Sequence, residues 1–393
     1  MHSSIRIWDL TLRDGEQTPG VAFSPQDKLD IAAKLDSVGV HHADISFPSS
    51  SAQECEATKK ILAAGFAMGV NVTAMMRPED VVLAAELGAD EINMMAPLSD
   101  VHIEKKFGQD RKTITRRIVE VFRYAASRNV RVNFIGEDTS RADQGFARDV
   151  FQLALDNGAD KLVICDTVGV MEPAGMGEMT HALIAGVDPA AVFAIHCHND
   201  YGLATANTLA ALEAGVHIAT VTVNGIGERA GNASLEQVVL ALEKLHKVDT
   251  GIDMRGLYDL SRLVEERSGM LIGIHQPVVG DNAFTHESGI HVAAMLKDTS
   301  TYESLSPEYV GRRHRFVLGK HSGKNNVRRQ LELLGLDFDE QHVAAITNEI
   351  KQLFAQGSGR AASVVEQERT EPARFGLSEE KFTEIARRII GES

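Results

Sequence analysis

Short apolar runs rich in β-branched residues alternate with longer amphipathic stretches through most of this chain, and that rhythm limits the fold more than any other feature. Strands are predicted near Ile5–Leu10, His42–Phe47, Asn71–Met76, Glu91–Ala96, Arg131–Ile135, Lys161–Cys165, Val192–His198 and His217–Asn224. Helices are predicted over segments such as Pro25–Val38, Pro78–Leu87, Arg111–Ser127, Phe146–Asn157, Gly175–Gly186 and Leu203–Ala214. Gly39, Gly88 and Gly215 each follow an apolar helical pattern, which suits helix C-termini. The phrase Gly-Ala-Asp recurs at Gly88 and Gly158 and marks the same helix-to-strand turn twice. Eight strands alternating with helices point to an α/β fold, a (β/α)8 barrel. The competing doubly wound open sheet would want a Gly-rich phosphate loop after the first strand, and none is there.

At 393 residues the chain has room for a barrel of about 275 residues and an appendage. We divide it into a catalytic barrel over 1–275, a linker subdomain over 276–335 and a helical C-terminal subdomain over 336–393. Glu340–Ala355 and Ser378–Ile390 are the strong helices of the last part, and Gly357–Ala373 reads as a flexible connection. A net charge of −15 argues against nucleic-acid or anionic-membrane partners. No apolar stretch approaches membrane-spanning length and no signal-like start is present. Three widely spaced cysteines, Cys55, Cys165 and Cys197, do not make a disulfide framework. A reducing cytoplasm is the expected location.

The barrel reading brings distant residues together. Asp14, beside Arg13, follows the first strand; His196 and His198 end the seventh; Asn232 lies in the loop after the eighth. Catalytic groups of such barrels gather at the carboxyl ends of the strands, and strands one, seven and eight are neighbours once the barrel closes. Residues i and i+2 of a strand point the same way, so the two imidazoles share a face and Cys197 takes the other. Two imidazoles, a carboxylate and an amide oxygen suit a six-coordinate divalent cation with open positions. These ligands do not choose among zinc, manganese, magnesium and cobalt.

The stretches Leu12-Arg13-Asp14-Gly15-Glu16-Gln17, His196-Cys197-His198-Asn199-Asp200 and Asn224–Asn232 resemble the signatures of the 2-isopropylmalate synthase and homocitrate synthase family. Phe284–His291 and Leu318–Gly323 are similar to that family's linker region, so the resemblance runs from about residue 5 to 330. Asp166–Pro173 and Gly202–Leu209 place the likeness nearest the homocitrate synthases of nitrogen-fixing bacteria. The resemblance implies a metal-dependent Claisen condensation of acetyl-CoA with a 2-oxo acid, followed by thioester hydrolysis. Asp14, His196 and His198 would then be metal ligands, with Asn232 beside them. Arg13 would stabilise the alkoxide, and Thr167 would bind the substrate carboxylate. Glu137, His291 and Tyr302 match the residues that remove the methyl proton. Gln17, His102 and Asn133 join Arg13 and Thr167 as substrate-binding candidates. In the family the segment after residue 275 completes a partner's site, which implies a homodimer with a swapped C-terminal region.

The acceptor acid is less defined. Lysine-pathway homocitrate synthases carry Arg and Ser four and two residues before the catalytic Glu, whereas this chain has Asn133 and Ile135. A 2-oxoglutarate tail would need another cation, with Arg77 and His102 as candidates. Ile135 suits a smaller or more apolar acid, and Asn133 a polar head such as a phosphonate. Citramalate, 2-isopropylmalate and phosphonomethylmalate synthesis are therefore alternatives to homocitrate synthesis. A lyase or aldolase of the hydroxymethylglutaryl-CoA lyase type shares the first two motifs but has no place for the linker motifs. A barrel that only binds metal or a partner would have no use for the full set of candidates. The leucine-regulated family members carry a further regulatory domain, which is not expected here.

Overall fold

The computed structural model describes residues 1–2, 4–89, 91–355 and 376–391, in two units, Met1–Ile272 and Gly273–Ser393. The first unit is a closed barrel of eight parallel strands: β1 (Arg6–Asp9), β2 (His42–Asp44), β3 (Gly69–Ala74), β4 (Glu91–Pro97), β5 (Arg131–Glu137), β6 (Ala159–Asp166), β7 (Phe193–Cys197) and β8 (Ile218–Val221). Closure is made by β1 and β8, with Arg6 opposite Ile218 and Asp9 opposite Val221. All eight predicted strands are present, most of them trimmed or shifted by a few residues.

Alternation along the strands sorts the side chains into two sets. Phe134, Phe151, Phe193 and Phe122 are buried in the outer layer, where their rings meet edge to face at 5.7–6.0 Å. The inner set is partly apolar, with Trp8, Leu10, Ile135, Val163, Cys165, Ala194 and Ile218 in one cluster. Another part of it is polar. Glu91 Oε1 accepts hydrogen bonds from Asn133 (2.6 Å) and Lys161 (2.9 Å), and Asn133 also donates to Asn93 (2.9 Å). Asn93 donates to Asn71 (2.8 Å), which also accepts from the indole of Trp8 (3.2 Å).

The helices of this unit are α1 (Pro25–Ser37), α2 (Ala52–Ala64), α3 (Pro78–Leu87), α4 (Arg111–Ser127), α5 (Gln144–Asp156), α6 (Pro173–Ala185), α7 (Ala204–Glu213), α8 (Leu235–Lys244) and α9 (Leu257–Ser268). Their starts follow local chemistry. Ser24 and Asp27 form a reciprocal capping box at α1, and Asp110 caps α4 through the Thr113 N–H. Helix α2 has no strong apolar period in the sequence, and its buried stripe is only Ala57, Thr58 and Ile61. The segment Val101–Lys106 after β4 is a π-helical turn rather than part of a regular helix.

The second unit contains a two-stranded parallel sheet, β9 (Thr285–His286) and β10 (Arg315–Phe316), with helices α10 (Gly289–Met295), α11 (Lys324–Leu333), α12 (Glu340–Ala355) and α13 (Glu379–Ile390). Val327 and Leu331 of α11, Val343, Ile346 and Ile350 of α12, and Phe382, Ile385 and Ala386 of α13 form its core. Glu379 and Glu380 in the first turn of α13, and Arg387 and Arg388 in its last, match the helix dipole. The connection expected over 357–373 lies outside the described residues.

Candidate active site

The turn after β1 sets the site. The Leu10 carbonyl accepts from three consecutive N–H groups, those of Arg13 (3.2 Å), Asp14 (2.8 Å) and Gly15 (3.0 Å), which fixes the loop tightly. Arg13, only 8 % exposed, is held by charge-assisted bonds: Nε to Asp44 (2.8 Å) and Nη1 to Asp14 (3.0 Å). Nη2 has no partner among the described residues and is free for a substrate oxygen. Burial alone would raise the Asp14 carboxyl. Arg13 first, then His196 and His198, outweigh that effect and hold it below the ordinary carboxylate range.

Asp14 Oδ2 lies 3.8 Å from His196 Nε2, which is 3.1 Å from His198 Nε2. One potential ligand atom from each of these three buried residues falls within 4.8 Å of the others. Thr220 Oγ1 donates to the Ile195 carbonyl (2.9 Å), so it accepts from His196 Nδ1 (3.0 Å). That places the His196 proton on Nδ1 and leaves Nε2 as a bare lone pair facing Asp14 and His198. Burial and then His198 push the His196 imidazole down to about 3, so it is neutral at ordinary pH. Asn232 donates to Asp14 Oδ2 (2.6 Å), while its own Oδ1 and the Nδ1 of His198 are buried without a partner. Facing lone pairs and orphaned buried polar atoms fit a site built around a divalent cation, with Asp14, His196 and His198 as its donors. Gly231, at φ +84°, lets the loop before Asn232 fold this closely, since a Cβ there would sit 1.9 Å from the Gly225 carbonyl oxygen.

Above the cluster lies a cavity of about 490 Å³, walled by Arg13, Asp14, Gln17, His102, Glu137, Thr167, His196 and His198 among the expected residues. Leu10, Met95, Ile135 and Val163 give it an apolar portion. Thr167 Oγ1 accepts from the Asp138 N–H (2.8 Å), which leaves the hydroxyl proton of Thr167 available to a ligand. Glu137 is held by Lys106 (2.6 Å) and lies 3.4 Å from His102 Nδ1.

Two expectations are corrected. Asn133 does not reach the cavity; it is fully buried in the Glu91–Asn93–Lys161 network, because four residues along a strand put it about 13 Å deeper than Glu137. Arg77 also stays away from the cavity walls, at the start of α3, where Asp80 binds it at 2.7 Å. Lys106, Glu228 and Arg229 line the cavity and were missed. Arg229 lay in plain view inside the Asn224–Asn232 motif, and it bonds Asp200 (2.7 Å) and the Thr167 carbonyl (2.8 Å). Asp44 was missed as well, although it lies within a predicted strand and ends β2 in the structure. In the second unit, the rings of His291 and Tyr302 stack at 4.0 Å, both largely exposed.

A (β/α)8 barrel with a buried Asp–His–His cluster and an anchored arginine at the carboxyl ends of its strands is the framework of an enzyme. Residues 4–264 match the HMGL-like family, and residues 278–358 match the "Homocitrate synthase post-HMGL domain-like" family. A putative (R)-citramalate synthase of Methanopyrus kandleri is 43% identical over 97% of this chain and 76% of its own length. A probable 2-isopropylmalate synthase of Ignicoccus hospitalis is 41% identical over 99% of this chain and 93% of its own. Among solved structures, the hydroxymethylglutaryl-CoA lyase of Pseudomonas aeruginosa has the same fold, with a TM-score of 0.61 and 23% identity over 69% of this chain and 95% of that one. The chain belongs to the 2-isopropylmalate synthase and homocitrate synthase family, and so is an acyltransferase that condenses acetyl-CoA with a 2-oxo acid. The relatives quoted are citramalate and isopropylmalate synthases; only the second matched region carries the homocitrate synthase name. No helix among the described residues is long and apolar enough to cross a membrane.

Proposed function

We propose that the acceptor is a 2-oxo acid with a short apolar tail, pyruvate or 2-oxoisovalerate, giving citramalate or 2-isopropylmalate. The observation that carries this is the apolar wall of Leu10, Met95, Ile135 and Val163 beside Arg13, combined with the engagement of Asn133 elsewhere. A charged tail against that wall would lose hydration without compensation. The names of the quoted relatives point the same way. Lys106 favours a second reading, 2-oxoglutarate, because it brings a cation to the cavity; its bond to Glu137 makes it a weaker candidate for that role.

In this proposal Asp14, His196 and His198 hold a divalent cation, which when bound supplies Lewis acidity toward the keto oxygen. Asn232 keeps Asp14 oriented through its amide. Arg13 Nη2 meets the oxygen on which negative charge develops, at no reorganisation cost because Asp44 and Asp14 already fix the guanidinium. The Thr167 hydroxyl donates to the acceptor carboxylate, and Gln17 lines the same wall. Glu137, aimed by Lys106, takes the methyl proton of the thioester. His291 and Tyr302 would act from a second copy of the chain, in a homodimer. The test is release of CoA thiol with pyruvate, 2-oxoisovalerate, 2-oxoglutarate, oxaloacetate and phosphonopyruvate, each with a chelator control. Chelator-sensitive release with an apolar acid supports the proposal. Turnover confined to 2-oxoglutarate or phosphonopyruvate overturns the acceptor assignment.

A further inference from the structure

Lys28 has a position that the roles above do not explain. It lies on the inward stripe of α1 with Ile31, Ala32 and Leu35, and its side chain is fully buried. A lone lysine in an apolar stripe is costly unless all three ammonium donors are met. Here they are: Nζ bonds the Leu12 carbonyl (2.9 Å), Glu16 Oε2 (2.7 Å) and Glu54 Oε1 (2.6 Å). Leu12 directly precedes Arg13, and Glu16 follows Asp14 by two residues. Glu16 continues through Oε1 to the Phe23 N–H (2.9 Å), and Glu54 through Oε2 to the Phe47 N–H (3.0 Å), beyond the strand that carries Asp44.

We infer that Lys28 is a positioning residue for the reaction: its ammonium joins the loop carrying Arg13 and Asp14 to the loop flanking Asp44, and so sets where the guanidinium and the carboxylate point. This rests on the roles proposed above for Arg13 and Asp14. A purely apolar residue would fill the same helix face but would leave the Glu16 carboxylate of the loop after β1 and the Glu54 carboxylate of α2 without a common partner. Arg13 is itself clamped between Asp14 on one loop and Asp44 on the other strand, so any shift between the two loops is transmitted to it. Lys28 touches neither of the reacting molecules in this scheme.

The test uses the full chain carrying Lys28→Met, assayed with the acceptor that wild type turns over, together with a crystal structure of the variant. A displacement of residues 10–17 by about 1 Å is expected, with acceptor kcat/KM reduced at least ~30-fold while the KM for acetyl-CoA stays within about threefold. A variant with loop 10–17 unmoved, or with acceptor kcat/KM within about threefold of wild type, overturns the inference. Where Lys28→Met does not fold, K28M/E16Q/E54Q removes the unpaired carboxylates but still lacks the tie to Leu12. That variant is expected to fold and to keep the acceptor defect, and full recovery of kcat/KM would reduce Lys28 to a stabilising residue. If wild type releases no CoA with any acid, the reaction proposed above fails, while the position of loop 10–17 in the variant still decides the role of Lys28.

Discussion

Replacing Lys161 with Met tests how the polar interior of the barrel is held. Lys161 is 6 % exposed and Glu91 3 %, and their charges meet at 2.9 Å. At an effective dielectric of about 20 the attraction at that distance is roughly 6 kcal/mol, most of it offset by desolvating two ions. The variant loses the attraction and keeps the desolvated Glu91 carboxylate, a change that costs about 3–5 kcal/mol in buried pairs. Glu91 retains Asn133 at 2.6 Å and the more exposed Arg131 at 3.2 Å, so the lower end, about 3 kcal/mol, is expected. In E91Q/K161M the amide still accepts from Asn133 and no buried charge is left, so the double variant should lie within about 1 kcal/mol of wild type, about 2 kcal/mol more stable than K161M. Urea denaturation followed by fluorescence is a direct assay, because Trp8 is the single tryptophan and bonds the Asn71 amide of the same network. A single variant that loses less than about 1 kcal/mol, or a double variant as unstable as the single, would refute the reasoning.

Burial, assisted by Glu236 and Asp44, raises the Asp9 carboxyl to about 7 despite its bonds from Thr11. Between the unfolded value near 3.8 and about 7 the native state holds a proton that the unfolded chain releases, so stability falls as pH rises through that window and is level above it. From pH 5 to pH 8 this group should cost about 3 kcal/mol, and Asp9→Asn should remove that slope in urea titrations at the two pH values. Ile135→Arg should lower kcat/KM for the apolar acceptor about 100-fold and confer turnover of 2-oxoglutarate, measured by CoA release; unchanged preference would show that the apolar wall does not select the acid.

The architecture was legible because each link of it is local. Short apolar, β-branched runs that alternate with helical patterns specify parallel strands, and a parallel barrel then dictates that Asp14, His196 and His198 converge although nearly two hundred residues separate them. What was illegible depends on depth and on partners. Strand parity puts Asn133, Ile135 and Glu137 on one face without saying how far down the barrel each one sits, and Asn133 proves to belong to the Glu91–Lys161 network. Lys106 owes its place to a π-helical turn that no apolar period announces. Lys28 stands on an apolar stripe and looks like a flaw in an amphipathic pattern until Leu12, Glu16 and Glu54 are seen around it. Arg77 was a reasonable cation candidate from the sequence alone, but three residues on, at the start of α3, Asp80 claims it.

The central claim is that this site forms a carbon–carbon bond between the acetyl methyl and a keto carbon. Acetyl-CoA labelled with ¹³C at the methyl carbon, incubated with the metal-loaded protein and pyruvate or 2-oxoisovalerate, tests it by NMR of the product. The label is expected in a methylene group next to a quaternary carbon, and Arg13→Met, Asp14→Asn and His196→Gln are each expected to abolish that signal. Label recovered only as methyl in free acetate, with every acid offered, would mean that the site hydrolyses the thioester without condensation and would contradict the account.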